Sequence, residues 1–214
     1  MTHPHSTLSV EPRTQPHDDQ QLDRWLTDRA RWQQGQPLTW ALAAHLPLIE
    51  DTKLDTAATD GAAIRFNPLW SAGLDDATRC YMQAHLVWHC AAGHFLPVPV
   101  PDCHRWHLAC DHEANAVLLL LGIALPGKAA FFPACIGKPL TEIHEWLKFH
   151  PRLAEEDFID RLEPTAKDRT ECAQAWAKRV DSLLAIPEIA SANSTRKALW
   201  LIQRIGDLRM QRLG

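Results

Sequence analysis

Between Cys80 and His112 the sequence places six of its twelve histidines and four of its six cysteines, so potential metal ligands crowd onto two consecutive helix-patterned stretches. The first runs from Asp75 to about Gly93, with Leu74-Asp75-Asp76 as an acidic entry and Gly93 as its exit. The second runs from Cys103 to about Gly122, and the proline-rich connector LPVPVPD (Leu96 to Asp102) separates the two. On the first stretch His85 and His89 are four residues apart, about 40° from each other on one helix face, able to grip one metal ion with two imidazoles. By itself that pair is weak evidence, and two surface or capped histidines are its ordinary reading. On the second stretch His104, His107, Leu108, Asp111 and Asn115 share a face by three- and four-residue spacing, so a polar strip can turn toward the first helix.

Patterning elsewhere supplies the frame. Residues 1–18 are polar, carry Pro4, Pro12 and Pro16, and are expected to form a disordered tail. A first helix is predicted from about Gln20 to Gln34, with Leu22, Trp25, Leu26 and Trp32 on related faces, and a short one from Leu38 to His45. Between Leu48 and Asn67 the period changes: Thr59-Asp60-Gly61 is a turn signal and Ile64-Arg65-Phe66-Asn67 alternates, which predicts a β-hairpin with an Asp-Gly turn. Beyond a loop rich in Gly and Pro, helices are predicted from Thr141 to about His150, Ala154 to Leu162, Thr165 to Leu184 and Ser194 to Arg212. In the last of these Leu201, Ile205 and Leu208 form an apolar stripe opposite Arg196, Arg204 and Arg212. With Trp200 beside it, this stripe is expected to pack on the first helix around Trp25 and Trp32, or on a second copy of the chain. The fold class is therefore α+β and mostly helical, with a small β-hairpin or sheet and extra N- and C-terminal helices. Residues 19–151 are read as the domain that holds the histidines, and 152–214 as a helical extension packed on it.

Composition removes several function classes. A net charge of −4 with no basic cluster argues against nucleic acid. The longest apolar run, Ala116 to Leu125, falls well short of the roughly 20 residues that span a bilayer, and the N-terminal segment has no apolar signal core, so a soluble cytoplasmic protein is expected. No Cys-x-x-Cys pair points to a zinc ribbon, and Cys103 and Cys110 read as buried thiols. Neither Gly-x-x-x-x-Gly-Lys nor Gly-x-Gly-x-x-Gly occurs.

Four blocks, in order, carry a resemblance: TAATDG (Thr56 to Gly61), Phe66-Asn67-Pro68, AHLVWHCAAGH (Ala84 to His94) and WHLACDHEAN (Trp106 to Asn115). Together they resemble the metallopeptidase domain that in many bacterial proteins precedes a von Willebrand factor A-like domain. The resemblance implies zincin-like helices, a Zn²⁺ cofactor, His85 and His89 as helix ligands and Asp111 as the third ligand. It also implies a protein partner within a multi-component bacterial system. His107 stands where that family more often has Asn, and it is a fourth ligand, an outer-shell partner or a hydrogen-bonded core histidine. Asn115 is assigned to the outer shell, and His94 to the outer shell or to a purely structural role.

Two departures matter. The motif His-Glu-x-x-His carries the general base of a metalloprotease, and here its Glu is replaced by Leu86, which cannot accept a proton. Only about sixty residues follow Pro151, fewer than a βα-alternating domain of typical size needs. The sequence thus predicts a degenerate, catalytically inactive metallopeptidase-like protein that binds zinc and serves as a binding or scaffold component. An active hydrolase using another carboxylate, such as Asp60 or Glu50, is the first alternative. A metal-free helical interaction module is the second. If the rest of the site is intact, Leu86→Glu is expected to restore cleavage.

Overall fold

The computed structural model describes residues 18–96, 99–150, 160–162 and 169–213. Residues 1–17, most of the expected tail, lie outside this range, as do 165–168 at the start of the helix predicted from Thr165. The architecture is mostly helical with one small mixed sheet, in agreement with the α+β class. Its helices are α1 (Asp18–Gly35), α2 (Pro37–Ala43), α3 (Pro68–Ala72), α4 (Asp76–Ala92), α5 (Cys103–Leu121), α6 (Leu140–Phe149), α7 (Arg169–Leu184), α8 (Pro187–Ala190) and α9 (Asn193–Leu213). No helix among the described residues is long and apolar enough to cross a membrane.

The four strands β1 (Leu48–Glu50), β2 (Ala57–Thr59), β3 (Ile64–Phe66) and β4 (Asp160–Leu162) lie in the order β1-β3-β2-β4. Strands β2 and β3 form the antiparallel hairpin, Thr59 opposite Ile64, while β1 and β4 add in parallel on either side. The Asp-Gly turn is built as its sequence suggests: Asp60 Oδ1 accepts from the amides of Ala62 and Ala63, and Gly61 takes φ +84°. A Cβ on Gly61 would lie 2.9 Å from Cys172 Sγ, so the turn and α7 approach closely only because this residue is glycine.

One prediction fails here in an instructive way. The helix expected from Ala154 to Leu162 is, over its described part, strand β4. Pairing with the otherwise open edge of β2 satisfies backbone groups that a short helix would leave unpaired at its ends, and that tertiary option is invisible in local pattern.

Helix α4 is the axis of the molecule. Thirteen of its residues from Arg79 to Ala92 are buried, because α1, α2, α5, α7 and α9 all pack around it. Tryptophans fill the gaps, and three buried indole N–H groups find acceptors on neighbouring elements: Trp25 on Ser71 Oγ at 2.8 Å, Trp88 on Thr39 Oγ1 at 3.2 Å, Trp176 on the Gly61 carbonyl at 2.8 Å. Trp25 also stacks on Phe66 at 4.3 Å between centroids, tying α1 to the sheet. Inside this apolar frame Arg79 meets Asp28 through two bonds, 2.6 Å and 3.2 Å, so α1 and α4 share a buried ion pair whose disruption costs about 3–5 kcal/mol.

The apolar stripe of α9 is buried, but its main contact is α5 rather than α1. Nor is its basic face simply solvated. Arg209 donates to the Ala91 carbonyl and Arg212 to the Ala92 carbonyl at 2.9 Å, so α9 caps the C-terminal end of α4, where the helix dipole favours cations. All six cysteines are free thiols; Cys110 is buried, whereas Cys103, at the first turn of α5, is exposed.

Candidate metal centre

Four side chains from three elements converge between α4 and α5. His85 and His89 come from α4, Asp111 from α5 and Asp160 from β4; one ligand atom from each lies within 4.8 Å of all the others, and all four residues are buried. The two Nε2 atoms face each other at 2.8 Å. Asp111 Oδ1 stands 3.3 Å from His89 Nε2 and 3.6 Å from His85 Nε2, and Asp160 Oδ2 stands 3.6 Å from His89 Nε2. Neither of these carboxylate oxygens has a hydrogen-bond partner among the described residues. Buried acceptors without donors are costly, and here two of them are aimed at the same point as two imidazoles.

Outer contacts fix the imidazoles so that their Nε2 atoms face inward. Asn115 donates through Nδ2 to the Ala130 carbonyl at 3.0 Å, which turns its Oδ1 toward α4. That oxygen accepts from Tyr81 OH and from His85 Nδ1, each at 2.9 Å, so the His85 Nδ1 is protonated and its Nε2 faces the site. On the other side α4 stops at Ala92, and Gly93 turns the chain back with φ +71°. This turn is what carries His94, which would point away on a continuous helix, onto the ring of His89. His94 Nδ1 lies 2.9 Å from His89 Nδ1, and His94 Nε2 lies 2.9 Å from Glu113 Oε1. With Glu113 ionised, His94 donates to Glu113 and His89 donates to His94, leaving His89 Nε2 as a lone pair in the centre.

The charges follow from the same geometry. Burial disfavours both α4 imidazoliums; at His85 the carboxylates of Asp111 and Asp160 outweigh it and raise the pKa. At His89 burial, reinforced by His85, prevails and lowers it to about 4. A neutral His89 accepts across the 2.8 Å gap when His85 carries a proton on Nε2. A cation seated between the rings would take that proton's place. Burial also opposes charge on His107, but Asp111 and Asp160 push its pKa up to about 12. Its Nε2 reaches Asp160 Oδ1 at 2.8 Å and Asp111 Oδ1 at 3.1 Å, so it holds the two carboxylates from outside.

Over residues 23–193 the chain matches the model of a family described as "Putative metallopeptidase domain". The chain belongs to this family. No curated protein and no solved structure matches it. Within the metallopeptidase-domain family the donor set His85, His89, Asp111 and Asp160 fits a metal ion, because two inward imidazole nitrogens and two orphaned carboxylate oxygens have no other common partner.

The structure brings together His85, His89 and Asp111, and it places His94, His107 and Asn115 around them as hydrogen-bonding partners. His104, on the same sequence strip, is exposed one turn outside. The carboxylates considered as replacement bases are engaged elsewhere: Asp60 in the hairpin turn and with Arg65, Glu50 as an acceptor for the Leu22 amide of α1. Two participants escaped sequence reasoning. Asp160 lies in the stretch whose local pattern predicts a helix, and no ligand spacing in the sequence points to it. Glu113, two residues beyond Asp111, lies on a different face of α5, and its contact is His94, which the Gly93 turn brings across.

His94→Phe tests this outer shell. It removes the acceptor for His89 Nδ1 and is expected to weaken metal binding about 10- to 100-fold without changing stoichiometry, the usual cost of losing such a partner, measured by competition with a chromophoric chelator. An unchanged affinity refutes the assignment.

Proposed function

We propose that this protein is a zinc-binding member of the metallopeptidase-domain family that no longer hydrolyses peptides and acts as a binding or scaffold component toward a protein partner. One observation carries the reading: four buried protein ligands converge on one point while Leu86, with no exposed surface, occupies the position of the base. Structural zinc sites are closed by four protein ligands, whereas catalytic sites use three and keep one position open. His85, His89, Asp111 and Asp160 would hold the ion as a closed set of two nitrogens and two oxygens. When bound, the ion supplies charge compensation for the two buried carboxylates and cross-links α4, α5 and β4. The protein's own groups do the rest: Asn115 and His94 hold the imidazoles in register, and His107 steadies both carboxylates.

A second reading has its own observation. Asp160 Oδ2 has no hydrogen-bond partner among the described residues, so Asp160 is the carboxylate best placed to serve as an unorthodox base if only three residues ligate. A peptidase assay on unstructured peptides separates the two. The zinc-loaded chain is expected to show no chelator-sensitive cleavage. Cleavage that chelator stops and Asp160→Asn abolishes hands the case to the hydrolase reading.

A further inference from the structure

Strand β4 is seated by two independent interactions. Its backbone pairs in parallel with β2 from Asp160 to Leu162, at the outer edge of the sheet. Its first residue inserts the Asp160 side chain, 2% exposed, beside Asp111, 3% exposed. The first interaction is weak, since a three-residue edge strand makes few ladder bonds. The second is unfavourable as it stands, because two buried carboxylates repel each other and each has given up its hydration. His107 offsets part of this from one side, through an Nε2 hydrogen bond to Asp160 Oδ1 and an ion-pair contact with Asp111 Oδ1. A divalent cation held by the four ligands would offset the rest.

We infer that the metal ion is a clasp: Asp160 is a ligand delivered by a displaceable strand, so that filling the site and seating β4 on β2 are one equilibrium. The inference rests on the metal-binding reading above and extends it to regulation. His85, His89 and Asp111 remain as a three-ligand site when β4 is away, so the ion is retained more weakly rather than lost. The coupling is reciprocal: the factor by which Asp160 tightens metal binding is the factor by which metal favours the docked strand. Undocking β4 also uncovers the edge of β2, a row of backbone donors and acceptors that an extended peptide can pair with.

Hydrogen exchange on the full chain with and without zinc, together with zinc affinity for wild type and Asp160→Asn, tests the clasp. Zinc is expected to slow exchange over residues 160–162 at least tenfold more than it slows exchange in α1, which reports global stabilisation. Asp160→Asn should weaken zinc binding by a comparable factor while keeping one ion per chain. Equal zinc affinity in the two proteins, or exchange at 160–162 that follows α1, overturns the clasp and leaves the metal reading standing. A wild-type chain that binds no zinc overturns both. If Asp160→Asn unfolds, seen as lost protection in α4 and α5, the wild-type comparison of 160–162 with α1 decides alone.

Discussion

Replacing His85 and His89 together by alanine is expected to take the metal content from about one ion per chain to none, because both nitrogen ligands of the set are then gone. Elemental analysis after chelator-free purification is the measurement. The double variant should also melt lower than the loaded wild type. A ligand present at about 1,000 times its dissociation constant and bound only by the folded chain contributes about 4 kcal/mol. For a chain of this size that corresponds to roughly 10 °C. The apo wild type should fall by the part that the ion contributes, and the double variant further, since it also loses two buried rings and their bonds to Asn115 and His94. Wild-type protein that carries no divalent metal, and does not gain thermal stability when zinc is added, refutes the zinc reading.

Leu86→Glu is expected to destabilise the fold without conferring peptidase activity. This reverses what the motif alone suggests, and the reason is packing. Leu86 has no exposed surface and belongs to the main apolar cluster that joins α4 to its neighbours. A carboxylate there is an uncompensated buried charge, with a cost of about 3–5 kcal/mol. A positioned base typically contributes about 10²- to 10⁴-fold, roughly 3 to 5 kcal/mol of barrier, but only within hydrogen-bond reach of the reacting proton. An introduced carboxylate that leaves the core to regain water has no reason to arrive there. Thermal melts and a chelator-controlled peptide assay check both halves. A variant with wild-type melting temperature and chelator-sensitive cleavage would show that the site needs nothing beyond its base.

Much of the fold was legible because α4, α5 and α9 carry their own caps and stripes. Asp75 caps α4 by accepting from the Thr78 amide, Gly93 and Gly122 close α4 and α5 in the left-handed region, and the buried face of α9 repeats at helical spacing. What stayed hidden depended on partners distant in sequence. Strand β4 forms because β2 has an open edge, and α9 chose α5 over α1 through contacts that no local period encodes. The site divides in the same way. His85, His89 and Asp111 sit on helices whose faces can be counted, and the resemblance named them. Asp160 reaches the centre from a strand, and Glu113 acts through a histidine that a glycine turn has redirected, so neither role can be counted along a helix.

The sheet order β1-β3-β2-β4 also dictates a sequence of events during folding. The β2–β3 hairpin closes over a few residues, and the α4–α5 pair needs only the short connector between them. Pairing β2 with β4 instead encloses about a hundred residues, α4, α5 and α6 among them, and loop-closure entropy delays such contacts until the intervening helices have collapsed. The chain should therefore pass through a stage in which β2 has an open edge and only three of the four candidate ligands are assembled. An exposed edge of that kind pairs readily with another chain, so refolding yield should fall with protein concentration most steeply when metal is withheld.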